Sequence, residues 1–185
     1  MIKIILFIFI LFNFYSHSYA SIKEDIISNF EKIQNMSFNF KQTVNEKTEE
    51  GTCTIQYPKK IFCEYDNLKK KIIVSNGKSL VIKNQSNNQY FRYPLESTPL
   101  ILILDKSAMI KKIVEIEGKL VDDKYFKFSL DNNNNKINIF FHKKSLNISG
   151  WQTEDLYQNL VITFIYNIKK NKKINKKLFI LPEVN

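Results

Sequence analysis

The two cysteines of the chain, Cys53 and Cys63, are the residues whose type and spacing first suggest chemistry. They lie in the stretch GTCTIQYPKKIFCEYD, residues 51–66, on either side of Pro58. A cysteine pair can bind a metal, react, form a disulfide or line an apolar surface. A zinc site uses three or four closely spaced ligands, and this pair has no partner pair, so we predict no metal site.

The other residue types that support catalysis are not arranged for it. His142 is the one histidine beyond residue 20, and no Gly-x-Ser-x-Gly turn accompanies it. The four glycines are not clustered, so the chain has no glycine-rich phosphate loop. The acidic pairs at 49–50 and 122–123 lie next to turns, where such side chains are usually solvated. The sequence therefore predicts neither an enzyme nor a bound cofactor.

The first segment, MIKIILFIFILFNFYSHSYA, has the features of a cleaved signal peptide over residues 1–20. A lysine precedes an apolar run, and the small residues Ser18 and Ala20 precede the predicted cleavage point. The run is shorter than the roughly 20 apolar residues that span a bilayer. No cysteine follows Ala20 directly, so we predict no lipid anchor. Residues 21–185 are predicted to form one exported domain.

The net charge of +10 comes almost entirely from lysine, because Arg92 is the only arginine. Proteins that read nucleic acids use arginine for bidentate base contacts, with aromatic residues interleaved. The sequence has no such cluster, so we predict no nucleic-acid partner. The lysines occur among many Asn and Ile residues, a mixture expected from an A/T-rich genome, and we interpret them mainly as a solvated surface. Contact with anionic membranes is the alternative.

One helix and many short strands must position these residues. Ser21 and Glu24 fit a capping box, and apolar residues then repeat at helical spacing over about residues 22–34. After the helix the apolar period is two, which indicates strands. About ten short strands with tight connections predict an antiparallel sheet that is strongly curved or nearly closed. The predicted strands cover residues 37–43, 52–57, 61–65, 71–75, 79–83, 89–93, 112–117, 124–130, 136–142, 145–151, 157–166 and 177–181.

One apolar segment lacks the alternation. Ser97-Thr98-Pro99 supplies a cap residue and a proline at the first helical position, and the residues 100–104 that follow are all Leu or Ile. We predict a short helix that is apolar on all sides and therefore inserts into an apolar interior. A buried strand is the alternative.

Four patches, in this order and spacing, resemble the family of the outer-membrane lipoprotein carrier protein LolA. They are SFNFKQT, GTCTIQYPKKIFCEY, VSNGKSL and STPLILIL, within residues 37–104. They are similar to the family's aromatic-x-Phe-x-Gln strand, its Arg-Pro-x-x-Phe-x-Trp-x-Tyr hairpin, its Ser-Asp-Gly turn and its Thr-Pro helix. The resemblance extends over nearly the whole of residues 21–185.

The resemblance implies a mainly β fold with α elements (α+β). It would be an unclosed antiparallel β-barrel of about 10–11 strands, with a lid of short helices over a hydrophobic cavity. It also implies a monomeric periplasmic chaperone that binds the acyl chains of lipoproteins and carries them from the inner to the outer membrane. An inner-membrane ABC transporter complex would load it, and an outer-membrane receptor lipoprotein would unload it. The alternatives are a periplasmic carrier or sensor for another lipid or lipidated protein, or a lipid-modifying enzyme if His142 faces the interior beside a nucleophile.

The resemblance also assigns residues to the site. Tyr57 stands where the family has an arginine that latches the barrel to the lid by hydrogen bonds, and the lid backbone near Ile103 is its expected partner. A phenol has one donor where a guanidinium has five, so ring packing would have to supplement the bond. The residues expected to line the acyl-chain cavity are Phe38, Phe40, Ile55, Ile61, Tyr65, Leu100, Ile103, Leu104 and Trp151.

The hairpin allows two arrangements of its cysteines. With a turn centred on Lys59, Cys53 lies opposite Tyr65, and the two cysteines are diagonal neighbours that meet the roughly 7 Å limit for a disulfide poorly. With a turn centred on Pro58, Cys53 lies directly opposite Cys63. The alternation places both cysteines on one face of the hairpin. Unbonded cavity lining is our first interpretation, and a Cys53–Cys63 disulfide is the second.

Overall fold

The computed structural model describes residues 17–68, 70–87, 89–132, 135–155 and 158–183. The predicted signal peptide, residues 1–20, therefore lies mostly outside the described residues. Within the described part of the chain, no helix is both long and apolar enough to cross a membrane.

The described residues form three α-helices and eleven strands. The helices are α1 (His17–Glu31), α2 (Ile101–Leu104) and α3 (Lys106–Glu115), with single 3-10 turns at Leu95–Ser97 and Lys176–Phe179. The strands are β1 (Asn35–Val44), β2 (Lys47–Gln56), β3 (Lys60–Tyr65), β4 (Lys71–Asn76), β5 (Ser79–Asn84), β6 (Gln89–Pro94), β7 (Lys119–Val121), β8 (Tyr125–Asn132), β9 (Asn135–His142), β10 (Ile148–Glu154) and β11 (Leu160–Lys170).

All eleven strands belong to one antiparallel sheet. Its order is β6-β5-β4-β3-β2-β1-β11-β10-β9-β8-β7, so β6 and β7 are its two edges and the sheet does not close. The predicted α+β fold, an unclosed antiparallel barrel of about 10–11 strands with short helices, is confirmed.

The inner face of the sheet buries a single large apolar core. Because strand residues alternate between faces, a strand inside the sheet contributes every second side chain, as Met36, Phe38 and Phe40 do on β1. The three helices cover this face, and α1 adds Ile26 and Phe30 to the core. Short helices apolar on one side or on all sides thus fill the concavity that the sheet leaves open.

Two predicted strands are wrong. Residues 112–117 lie mainly in α3, because the Asp105 carboxylate accepts the Ala108 N–H at 3.1 Å and caps the helix. Met109 and Ile113, four residues apart, are then buried on one helical face. Residues 177–181 lie in the last 3-10 turn and its extension, where only Phe179 is buried.

Other boundaries shift from those predicted. Helix α1 already includes Ser21, so the helix begins before the predicted N-cap position. The predicted strands 145–151 and 157–166 begin three residues later, as β10 and β11. The hydroxyl of Thr98 donates to the Leu95 carbonyl at 2.8 Å rather than capping the next helix. The helix itself is confirmed as α2, against the alternative of a buried strand.

The segment after β11 packs on the outer face of the sheet. The Asn171 N–H donates to the Asn35 carbonyl at 2.9 Å, and the Lys83 ammonium donates to the Glu183 carbonyl at 2.9 Å. Between these two points Phe179 is buried, as are Val74 and Val81 on the same side of β4 and β5. Residues 171–183 therefore form a strap across the outer face.

Candidate functional site

The residues predicted to line an acyl-chain cavity come together on the inner face of the sheet. All but one belong to the buried core, and Leu100, which is half-buried, packs against it. Those in the core are Phe38, Phe40, Ile55, Ile61, Tyr65, Ile103, Leu104 and Trp151.

A glycine brings two of these rings together. Gly51 lies between Phe40 and Tyr65 in the strand register, and the two ring centroids are 4.8 Å apart. A Cβ on Gly51 would lie 2.9 Å from the Phe40 ring and 2.1 Å from the Glu64 carbonyl oxygen, so no larger residue fits. The Tyr65 hydroxyl donates to the Gln42 side chain at 3.1 Å, and burial is the largest cause of its raised pKa. This part of the core therefore ends in a neutral, hydrogen-bonded phenol.

The hairpin holds a disulfide. Its turn is centred on Pro58, so Cys53 pairs directly with Cys63 and Ile55 with Ile61; the register centred on Lys59 is wrong. The Cα atoms of the cysteines are 4.1 Å apart and their sulfurs are bonded. Both cysteines are buried in the inner core. They therefore occupy the predicted lining position, but as a bonded pair rather than as the two free thiols of our first interpretation.

Helix α2 fills the space that the sheet encloses. All four of its residues, Ile101–Leu104, are buried, as an apolar helix on all sides requires. The predicted hydrophobic cavity is thus occupied by the side chains of α2 in this structure. A pocket of about 190 Å³ lies elsewhere, at the ends of β8 to β11, and is lined largely by polar residues such as Asn138 and Gln152. We call α2 and α3 the lid.

Tyr57 does not make the hydrogen bond predicted for the latch. Its hydroxyl is buried and has no hydrogen-bond partner among the described residues. Burial raises its pKa, so the group stays a neutral phenol. The ring packs edge-on against Phe30 of α1, with centroids 5.6 Å apart. The Lys106 ammonium of α3 also lies over this ring, 5.5 Å from its centroid. Tyr57 therefore contacts the helical layer through its ring, not through a hydrogen bond of its hydroxyl.

Polar contacts from the same hairpin turn hold the lid instead. The Lys59 N–H donates to the Leu104 carbonyl at 2.8 Å, and the Lys59 ammonium lies 3.2 Å from the Asp105 carboxylate. On the other side of the lid, the Lys106 ammonium donates to the Glu31 and Ile33 carbonyls, at 2.7 and 2.8 Å. The junction between α2 and α3 is thus tied to the hairpin and to the end of α1. We call these four contacts the latch.

Sequence reasoning missed the latch residues. Asp105 carried one usable signal, because an Asp before a helical run is a common N-cap. Lys59 gave no usable sequence signal, because its backbone is left-handed at φ 67°, a conformation that lysine does not favour. The contact of Lys106 with α1 spans more than seventy residues of sequence, and no local pattern encodes it.

The one catalytic alternative placed His142 in the interior. The structure places it on the outer face of β9, where its ring lies 5.9 Å from that of Tyr125. Its Nδ1 accepts the backbone N–H groups of Lys144 and Ser145, so it orders the following turn. The preceding residue, Phe141, is the one that faces the core. The condition for a histidine-dependent enzyme is therefore not met.

We expect the Lys59–Asp105 ion pair to limit opening of the lid. In Lys59→Glu two carboxylates face each other, whereas the backbone bond to Leu104 and the cap of α3 remain. Both side chains of the pair are partly exposed, so the effect should be modest, with lid opening increased about two- to fivefold. Acrylamide quenching of Trp151, the single tryptophan, would measure the opening.

The neighbouring variant Lys60→Glu is the matched control, since it changes the net charge equally without facing Asp105. Raising the salt concentration should bring Lys59→Glu back toward the wild type, because salt screens exposed charges. Equal quenching in the two variants would show that the ion pair plays no part in the latch.

An unclosed curved sheet with an apolar inner face beneath a separate apolar lid is suited to binding apolar ligands. The family model described as "Outer membrane lipoprotein carrier protein LolA" matches residues 31–181. The chain therefore belongs to the LolA family, a family of carriers whose members bind lipoproteins and typically act outside the cytoplasm.

Solved structures share the fold at very low sequence identity. An uncharacterized conserved protein from Thermus thermophilus is 8% identical and has a TM-score of 0.51, with 89% of this chain and 94% of that chain covered. A LolA superfamily protein from Nitrosomonas europaea is 9% identical, with a TM-score of 0.48 and coverage of 87% and 96%. A putative outer membrane lipoprotein-sorting protein domain from Vibrio parahaemolyticus is 6% identical, with a TM-score of 0.49 and coverage of 86% and 95%. No curated protein matches the chain.

Proposed function

We propose that this protein is a periplasmic chaperone that holds the acyl chains of lipoproteins under its lid and carries them from the inner to the outer membrane. The observation that carries the proposal is the lid itself. Four consecutive apolar residues, 101–104, are buried against the sheet, yet the segment is joined to its surroundings by the few polar contacts of the latch. When the lid moves away, the apolar inner face of the sheet that α2 covered becomes available to acyl chains.

Transfer energetics explain why a carrier needs such a surface. Each methylene group that leaves a membrane for water costs roughly 0.8 kcal/mol, so an unescorted acylated protein crosses an aqueous compartment very slowly. Acyl chains that replace the lid in the core avoid this cost. Since the closed lid already buries the same surface, cargo competes with the lid and is held less tightly than in an empty cavity. That weakening favours release at the destination.

The direction of transport must come from the partners. A carrier with two lid states is shifted only by a partner that binds one state better than the other. We propose that an inner-membrane ABC transporter complex favours the open state and loads cargo. An outer-membrane receptor lipoprotein then accepts the cargo. Residues 21–185 would act as a single monomeric domain after removal of residues 1–20.

Trp151 provides the test of cargo binding. Its ring lies in the core, 6.2 Å from Phe38 between centroids, so a brominated acyl chain that replaces the lid should quench its fluorescence. We expect a triacylated lipopeptide with brominated chains to quench, and the same lipopeptide without bromine to quench far less. The unacylated brominated peptide controls for surface binding.

The other outcomes separate the alternatives. Quenching by brominated phospholipid or free fatty acid, but not by the lipopeptide, would indicate a carrier or sensor of another lipid. If no brominated chain quenches Trp151, even in the Lys59→Glu variant, the acyl-carrier proposal is wrong.

A further inference from the structure

The outer face of β11 exposes an apolar stripe that the folding of the chain does not require. Its outward residues Leu160, Phe164 and Tyr166 are 52%, 50% and 44% exposed, although the same strand buries Thr163 and Ile165 on the inner side. Single exposed apolar residues are ordinary, but a continuous row marks an interaction surface.

Neighbouring strands extend the row into a patch. Tyr125 of β8 lies 6.4 Å from both the Phe140 ring of β9 and the Phe164 ring of β11. This contact across two intervening strands is made over Gly150, which pairs with Phe140 on one side and Phe164 on the other. Gly150 has φ +154°, and a Cβ there would lie 2.2 Å from the Thr163 carbonyl oxygen. We call Tyr125, Phe140, Phe164 and Tyr166 the outer aromatic patch.

Lysines border the outer aromatic patch. In the strand register Lys127 lies opposite Phe140, and Lys41 lies opposite Phe164. Lys41 is also 3.8 Å from Glu50, so part of its charge is compensated. Lys169 lies beyond Tyr166 on β11.

We propose that the outer aromatic patch docks on the surface of an anionic lipid bilayer. Amphipathic aromatic rings prefer the headgroup level of a membrane, and each nearby lysine adds attraction to anionic lipids. A second copy of the chain fits the patch less well, because each copy carries a net charge of +10 and its lysines border the contact. The lid lies on the opposite, inner face of the sheet, so a docked protein keeps it free to open.

Flotation with protein-free vesicles tests this docking without any cargo. We expect the purified protein to float with vesicles of phosphatidylethanolamine and phosphatidylglycerol, to float poorly with phosphatidylcholine alone, and to dissociate as salt is raised. The test uses no lipoprotein, so its result is independent of the proposed carrier function.

Two pairs of variants locate the contact. Phe164→Ser with Tyr166→Ser should weaken vesicle binding at least about tenfold, whereas Phe91→Ser, which removes a 47% exposed ring on edge strand β6, should not. Lys127→Gln with Lys169→Gln should weaken it about tenfold or more. Lys78→Gln with Lys111→Gln removes the same charge from exposed positions elsewhere and should have a smaller effect.

Four results would overturn the proposal. The first is no flotation with anionic vesicles at low salt. The second is equal losses in the patch variants and in their controls, which would show binding by overall charge alone. The third is self-association in sedimentation that Phe164→Ser abolishes, which would assign the patch to a second copy. The fourth is binding only to membranes that contain proteins, which would assign it to a protein partner.

Discussion

Truncating Ile103 to Ala is expected to open the lid without unfolding the sheet. The side chain is fully buried at the centre of α2, and removing so many buried carbon atoms costs about 2–5 kcal/mol. Besides its apolar contacts, the lid has few polar attachments, namely the latch and the Lys23 ammonium on the Val114 carbonyl. We therefore expect this cost to fall on local opening rather than on global unfolding. The amides of residues 102–104 donate to the Pro99 and Leu100 carbonyls at the start of this turn, and their hydrogen exchange should accelerate at least about 30-fold.

Ile139→Ala is the matched control for this prediction. Ile139 is as completely buried as Ile103, but it lies in β9, between β8 and β10. We expect it to lower the free energy of unfolding in urea by a similar amount and to leave exchange in the lid close to that of the wild type. Equal losses of global stability in both variants, with unchanged exchange at residues 102–104, would show that the lid does not open as a separate unit.

The inner face of the sheet was predictable from local patterns. A shift of one residue in a strand moves every side chain to the other face, so the alternation around Phe38 and Phe40 leaves only one arrangement that buries both rings. The same logic placed Cys53, Ile55 and Ile61 together on the core side. The segment that covers that face was also partly predictable, since residues 100–104 have no polar side chain.

The strand predicted at residues 112–117 shows where such patterns mislead. Val114 and Ile116 alternate with Glu115 and Glu117 over a stretch too short to separate the strand period from the helical one. The helical period becomes visible only when Met109 is included, and the cap at Asp105 settles the start of the helix.

The polar part of the site was not predictable for a different reason. Lys59 and Asp105 are distant in sequence and meet only in the tertiary structure. From the sequence, either Lys59 or Lys60 could have reached the lid. The register of the hairpin decides between them, because the turn centred on Pro58 commits Lys60 to the β3 ladder and leaves the Lys59 backbone free to bond the lid. The Tyr57 hydroxyl is buried without a hydrogen-bond partner, so a comparison of residue types alone predicted a bond that this side chain does not make.

Removing the disulfide should have the second large effect. For Cys53→Ala with Cys63→Ala we expect the free energy of unfolding to fall by about 3 kcal/mol, because the bond closes a loop with a sequence separation of 10 and limits the freedom of the unfolded chain. Urea unfolding of the oxidised wild type and of the double variant would measure the difference. A reducing agent should lower the stability of the wild type to that of the variant and leave the variant unchanged.

The bond also supports the part of the hairpin that holds the lid. Three residue pairs separate Cys53 and Cys63 from the turn that carries Lys59, and both cysteines belong to the same core as Ile103 and Leu104. If the bond orders this end of the hairpin, the double variant should also show faster exchange at residues 102–104, as Ile103→Ala does. A loss of global stability with unchanged lid exchange would confine the disulfide to a folding role. Two free thiols in the unreduced protein, found by alkylation, would show that the bond does not form.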